Sequence, residues 1–183
     1  MSDELEDSLV SKNEEQIEGK KIQDADVTAQ DLVALKPQDA ITWFVKGKTH
    51  YVEGDYDNAL SCLSQAAQID KEAPLVWHMM GLTLLALGRV DEAVEALTYA
   101  AEKMPQNPDA LLALGIALAL GGKTDNAKKW IEKAFKADPQ KASDLATDFA
   151  ENFIASSPAV ESGTKALIER AIETQRVKVI NGY

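Results

Sequence analysis

From about residue 24 onward, apolar residues in this chain fall at spacings of three and four, the pattern of helices that each bury one face. The pattern itself recurs every 34 residues: Trp43 returns as Trp77, Gly47 as Gly81 and Gly115, and Gly54 as Gly88 and Gly122. Ala59 returns as Ala93 and Ala127, and Ala66 as Ala100 and Ala134, in the same phase. A fixed period of this length specifies stacked helix pairs, none of which covers its apolar surface alone.

The spacing predicts a short helix over 24–36, carrying Ala25, Ala29, Leu32, Val33 and Leu35 and stopped at Lys36–Pro37. It stands where an N-terminal cap belongs. The first full repeat covers 40–73. Asp39 caps its first helix, Trp43, Gly47 and Tyr51 share a stripe, and Gly54 ends it. Its second helix carries Ala59, Leu63, Ala66 and Ile69. The second repeat, 74–107, opens on Pro74 and turns at Gly88; the third, 108–141, is capped by Asn107 and turns at Gly121–Gly122. Gly47 facing Ala59, Gly81 facing Ala93 and Gly115 facing Ala127 supply the small residues that a close helix crossing needs. Beyond 141 the pattern degrades: Phe149 replaces the glycine and Glu161 the small residue, with a turn expected at 156–158 and a last helix over 159–179. Residues 142–179 are therefore expected as a degenerate fourth repeat that caps the stack.

Charge changes the picture at one end. The 183 residues carry 30 acidic and 19 basic side chains, net −11, which disfavours nucleic acid and anionic membranes as main partners. Residues 1–23 are polar, acidic and without a period, and are expected to be a disordered leader. No apolar run reaches the roughly 18 residues of a membrane span, and the start lacks the basic-then-apolar form of a secretory signal. The single Cys62 allows no internal disulfide and reads as a structural thiol. A cytoplasmic location is the expectation.

Chemistry adds little. There is no glycine-rich phosphate loop, and no serine, cysteine or lysine has a base at convincing spacing. His50 and His78 lie 28 residues apart without cysteine companions, so no metal site is expected, and no cofactor or catalytic residue. Lys128, Lys129, Lys133, Lys136 and Lys141 form a basic cluster that reads as a solvated face.

These residues resemble the tetratricopeptide repeat family. The matches are Trp43, Gly47, Tyr51, Gly54, Ala59, Leu63 and Ala66, and then their counterparts through Pro105 and Pro139. The resemblance implies an all-α, right-handed solenoid of antiparallel helix pairs whose first helices line a concave, peptide-binding groove. By family position the groove candidates are Ile41, Phe44, Val45, Lys48 and Val52 in the first repeat, Leu75, His78, Met79, Leu82 and Ala86 in the second, and Asp109, Leu112, Ala113, Ile116 and Leu120 in the third. The positions that hold a carboxylate clamp in co-chaperones of the family here hold Phe44, Lys48, Met79, Asp109 and Ala113. A clamp needs several cations and amides, whereas only Lys48 is basic here and Asp109 would repel a carboxylate, so acidic chaperone tails are not the expected partner. An apolar strip is expected instead, suited to a partner peptide or amphipathic helix. The alternatives are a homodimer that buries the strip against its own copy, self-occlusion by a terminal segment, or a regulatory subunit of a larger complex.

Overall fold

A computed structural model describes residues 2–19 and 21–149, together with 170, 173, 174 and 177. It divides into two units, Met1–Leu87 and Gly88–Tyr183. All regular structure among the described residues is helical.

The first unit holds α1 (Ser2–Glu18), α2 (Ile22–Leu35), α3 (Ala40–Glu53), α4 (Tyr56–Ile69) and α5 (Pro74–Ala86). Each packs against the next, and α1 and α5 also touch α3. Asp39 caps α3 by accepting from the Ile41 amide at 2.9 Å. The helix ends at Gly54, whose φ of 79° lies in the left-handed region that glycine enters without cost. Across the turn, Tyr51 and Tyr56 pack with ring centroids 5.5 Å apart. The period extends to hydrogen bonds: the Trp43 indole donates to the Pro37 carbonyl and the Trp77 indole to the Lys71 carbonyl, both at 2.8 Å. Each tryptophan thus ties its helix to the connection before it.

Gly47 sits where α3 crosses α4. A β-carbon there would lie 2.7 Å from Leu63 Cγ, well inside van der Waals contact. Leu63 is fully buried with Ala59 and Ala66, and a leucine removed so completely from water stabilises by about 1.5–3 kcal/mol.

The structure corrects one expectation. The segment 1–23, expected as a disordered leader, contains α1, packed on α2 and α3. The repeat runs one period further upstream than its clearest residues show. Counting back 34 positions, Ala59, Leu63 and Ala66 become Ala25, Ala29 and Leu32, all fully buried. Gly47 becomes Asn13. The larger asparagine stands at a crossing where the neighbouring helix offers Ala29 in place of Leu63, so bulk moves from one helix to the other. Asn13 is fully buried. Its Nδ2 donates to the Ala25 carbonyl at 2.7 Å and to Thr49 Oγ1 at 3.2 Å, joining α1 to both α2 and α3. Thr28 donates to Gln16 at 2.9 Å, and Lys36 pairs with Glu6.

The second unit holds α6 (Val90–Lys103), α7 (Pro108–Leu120), α8 (Thr124–Ala137) and α9 (Pro139–Asp148). Helix α7 packs against α6, α8 and α9. Asn107 caps it through bonds from the amides of Asp109 and Ala110. Every residue from Ala110 to Ala119 is buried, as befits a helix that is apolar all round. Gly115 repeats the arrangement at Gly47: its missing β-carbon would meet Ile131 Cγ1 at 2.7 Å. The turn expected at 156–158 lies outside the described residues. So does the last helix over 159–179, apart from Arg170, Glu173, Thr174 and Val177, which are helical.

Candidate functional site

The expected groove residues divide between the two units. In the first, Val45 is 3% exposed and clusters with Ala29 and Leu32, with Leu9 and Val10 of α1 packed against them. It belongs to the core between α3 and the N-terminal pair. Lys48 pairs with Glu14 of α1 at 3.4 Å. Phe44 packs with Trp43, Trp77 and Met80 against Ala66, Ala67 and Val76. The N-terminal pair therefore occupies part of the surface that the sequence assigns to a partner.

Other residues remain open. Ile41 is 52% exposed and Leu75 53%. They stand one period apart, at the N-terminal ends of α3 and α5. On α5, Leu75, Met79 and Leu82 recur at spacings of four and three, which sets them on one stripe. Met79, Leu82 and His78 are half-buried. Val52, at the far end of α3, is also exposed.

The second unit differs. Leu112 and Ile116 are 2% and 0% exposed, and Leu120 is half-buried. Asp109 holds the position of Ile41 and Leu75, and its Oδ2 pairs with Lys141 at 3.1 Å. Of the groove residues expected from the sequence, those that are apolar and exposed, Ile41, Val52 and Leu75, thus lie on α3 and α5.

Of the basic cluster, Lys128 faces Asp125 at 3.9 Å, Lys136 pairs with Glu132 at 3.1 Å, and Lys141 with Asp109. Lys133 lies over the Trp130 ring, 3.8 Å from its centroid, a cation–π contact. Trp130, Lys133 and Lys136 help line a cleft of about 470 Å3 between α6 and α8, with Glu102, Pro105 and Leu111. The sequence shows the lysines but not the cleft, which forms only when α6 and α8 flank α7. Burial pushes the Cys62 thiol above its ordinary range and keeps it from reacting as a thiolate. Among the described residues, no helix is long and apolar enough to cross a membrane.

A family model described as the cilia and flagella-associated protein 70 C-terminal domain, a tetratricopeptide-repeat model, matches residues 18–178. No curated protein matches the chain. Among solved structures, PilF of Pseudomonas aeruginosa is similar, with a TM-score of 0.75 at 17% identity, over 97% of this chain and 77% of that one. YrrB, described as a tetratricopeptide-repeat protein with an unusual peptide-binding site, gives 0.63 at 16% identity, over 94% and 90% of the two chains. The Yersinia enterocolitica type III secretion chaperone SycD, solved with a peptide of the translocator YopD, gives 0.52 at 29% identity, over 57% and 79%. The fold class is the all-α repeat solenoid.

Proposed function

The chain belongs to the tetratricopeptide-repeat family of the cilia and flagella-associated protein 70 C-terminal domain, and on that premise we propose that it is a protein-interaction scaffold whose α3–α5 face binds an amphipathic helix. The carrying observation is the pair Ile41 and Leu75, both more than half exposed at equivalent positions of adjacent first helices. Met79 and Leu82 continue the stripe from Leu75 along α5. Methionine adapts its shape to varied apolar partners, and a helix presents apolar anchors at three- and four-residue spacing that match such a stripe.

Charge supports an apolar ligand over an acidic tail. Lys48, the one cation at the clamp positions, is engaged by Glu14. Asp109 is an anion at the position where a clamp needs a donor. SycD, with its bound YopD peptide, supports peptide binding by this class of scaffold.

The test is binding of an amphipathic helical peptide measured by fluorescence anisotropy. Leu75→Glu and Met79→Glu should each weaken binding at least tenfold with the helical circular dichroism intact. Unchanged binding in both variants sinks the proposal. Self-association in sedimentation that Leu75→Glu abolishes would point instead to a homodimer on this face.

A further inference from the structure

The geometry points to a zinc site between α2 and α3, formed by Asp26, His50 and Glu53. One ligand atom from each of these side chains lies within 4.8 Å of the others. His50 and Glu53 are one turn apart on α3, with His50 Nδ1 3.0 Å from Glu53 Oε2. Asp26 arrives from α2, which packs on α3. The set is mixed, one imidazole and two carboxylates: Asp26 and His50 are half-buried and Glu53 is exposed.

A second observation points independently to a ligand. Asp26 Oδ2 accepts from Gln30 at 2.7 Å, but Oδ1 is buried and has no hydrogen-bond partner. A carboxylate oxygen removed from water without a donor is costly, and each such case asks for a missing partner. A cation supplies one.

The donors select the metal. Calcium takes six to eight oxygens, whereas zinc accepts nitrogen with carboxylate oxygens and is content with three protein ligands and a water. Zinc ligands stand about 2 Å from the metal and hence about 3.3 Å apart in a tetrahedron. Side-chain rotations that draw the widest pair about 1.5 Å closer bring the set to that spacing. Bound zinc would pin the N-terminal helix pair to the first full repeat, a structural role separate from peptide binding on α5.

The experiment uses the full chain stripped with chelator. Zinc chloride is titrated by calorimetry and by thermal melting, alongside calcium chloride. The expected result is one equivalent of zinc bound, a melting temperature raised by about 5–10 °C at a hundredfold excess over Kd, and no comparable effect of calcium. Asp26→Asn, which keeps the side-chain shape, and His50→Gln should each lower zinc affinity at least tenfold, while Cys62→Ser binds as the parent does. Cobalt in place of zinc should give a spectrum without a thiolate charge-transfer band. Absence of zinc binding, binding undiminished in both Asp26→Asn and His50→Gln, or binding lost in Cys62→Ser overturns the assignment. If His50→Gln does not fold, Asp26→Asn decides.

Discussion

Gly115→Ala sets two effects of opposite sign against each other at one atom. In an exposed helix the change adds about 1 kcal/mol of stability, because alanine is the better helix former. Here the new β-carbon would stand 2.7 Å from Ile131 Cγ1, 3.1 Å from the Ile131 backbone nitrogen and 3.3 Å from the Ala127 carbonyl oxygen. Ordinary carbon contacts lie at about 3.5–4.0 Å. Ile131 is 1% exposed and β-branched, so it has almost no room and essentially one helical rotamer. The backbone contact cannot be relieved by a rotamer change at all. Helices α7 and α8 must separate, and overpacking of this kind costs about 1–3 kcal/mol. With two contacts on the backbone the cost falls in the upper part of that range, leaving a net loss of about 1–2 kcal/mol. Urea unfolding followed by Trp130 fluorescence on α8 reads it. Gly47→Ala should lose less, since its two closest contacts are to side-chain atoms of Leu63 and only one, the Ala59 carbonyl at 3.3 Å, is to backbone. In an Ile131→Ala background the Gly115→Ala cost should shrink by at least about 0.5 kcal/mol, the coupling expected of touching residues. A neutral or stabilising Gly115→Ala would show that helix propensity decides this site and would refute the close-crossing argument.

Other expectations follow from single contacts. Asn13→Ala removes both buried hydrogen bonds and should cost about 1–3 kcal/mol, with hydrogen exchange rising first in residues 2–18. Gly122 has a φ of 75° and nothing near its Cα to hinder a side chain, so Gly122→Ala should lose about 1–2 kcal/mol from the left-handed backbone alone, and Gly122→Asn less. The side-chain hydrogen bond from Asn58, reinforced by its backbone amide, holds the Asp55 carboxyl below its usual value. A depressed folded value stabilises above the unfolded one, near pH 4, and is lost as pH falls through the folded one. Melting curves between pH 5 and pH 2 should therefore show an acid loss in the parent that Asp55→Asn reduces.

The repeat was legible because its markers answer to hard constraints. Gly47 and Gly115 stand at crossings with no room for a β-carbon, and Gly54, Gly88 and Gly122 at left-handed turns. No other residue fills those places cheaply, so they print the period. Helix α1 was hidden because its crossing is relaxed: Ala29 leaves space, Asn13 fills it, and the glycine marker disappears into an acidic stretch. The arithmetic signal was nonetheless there, since 34 residues before Gly47 lies Asn13. Groove assignment failed to discriminate on α7 for a different reason. That helix is apolar on every side, so no stripe tells a buried Leu112 from an open one. Val45 is ambiguous in the same way, because what buries it, Ala29 and Leu32 of α2 with Leu9 and Val10 of α1, comes from helices outside its own repeat. The Asp26–His50–Glu53 cluster had no linear signature, because Asp26 joins the other two only through packing of α2 on α3.

The exposed apolar stripe of α3 and α5 is the docking face of the proposed function. Its most direct measurement selects from a peptide display library on the full chain, with Met79→Glu presented in parallel as the counter-target. The expected result is enrichment of helical peptides with apolar residues at three- and four-residue spacing, bound by the parent and not by Met79→Glu. Enrichment of acidic tails, or of peptides that bind both proteins equally, would contradict it.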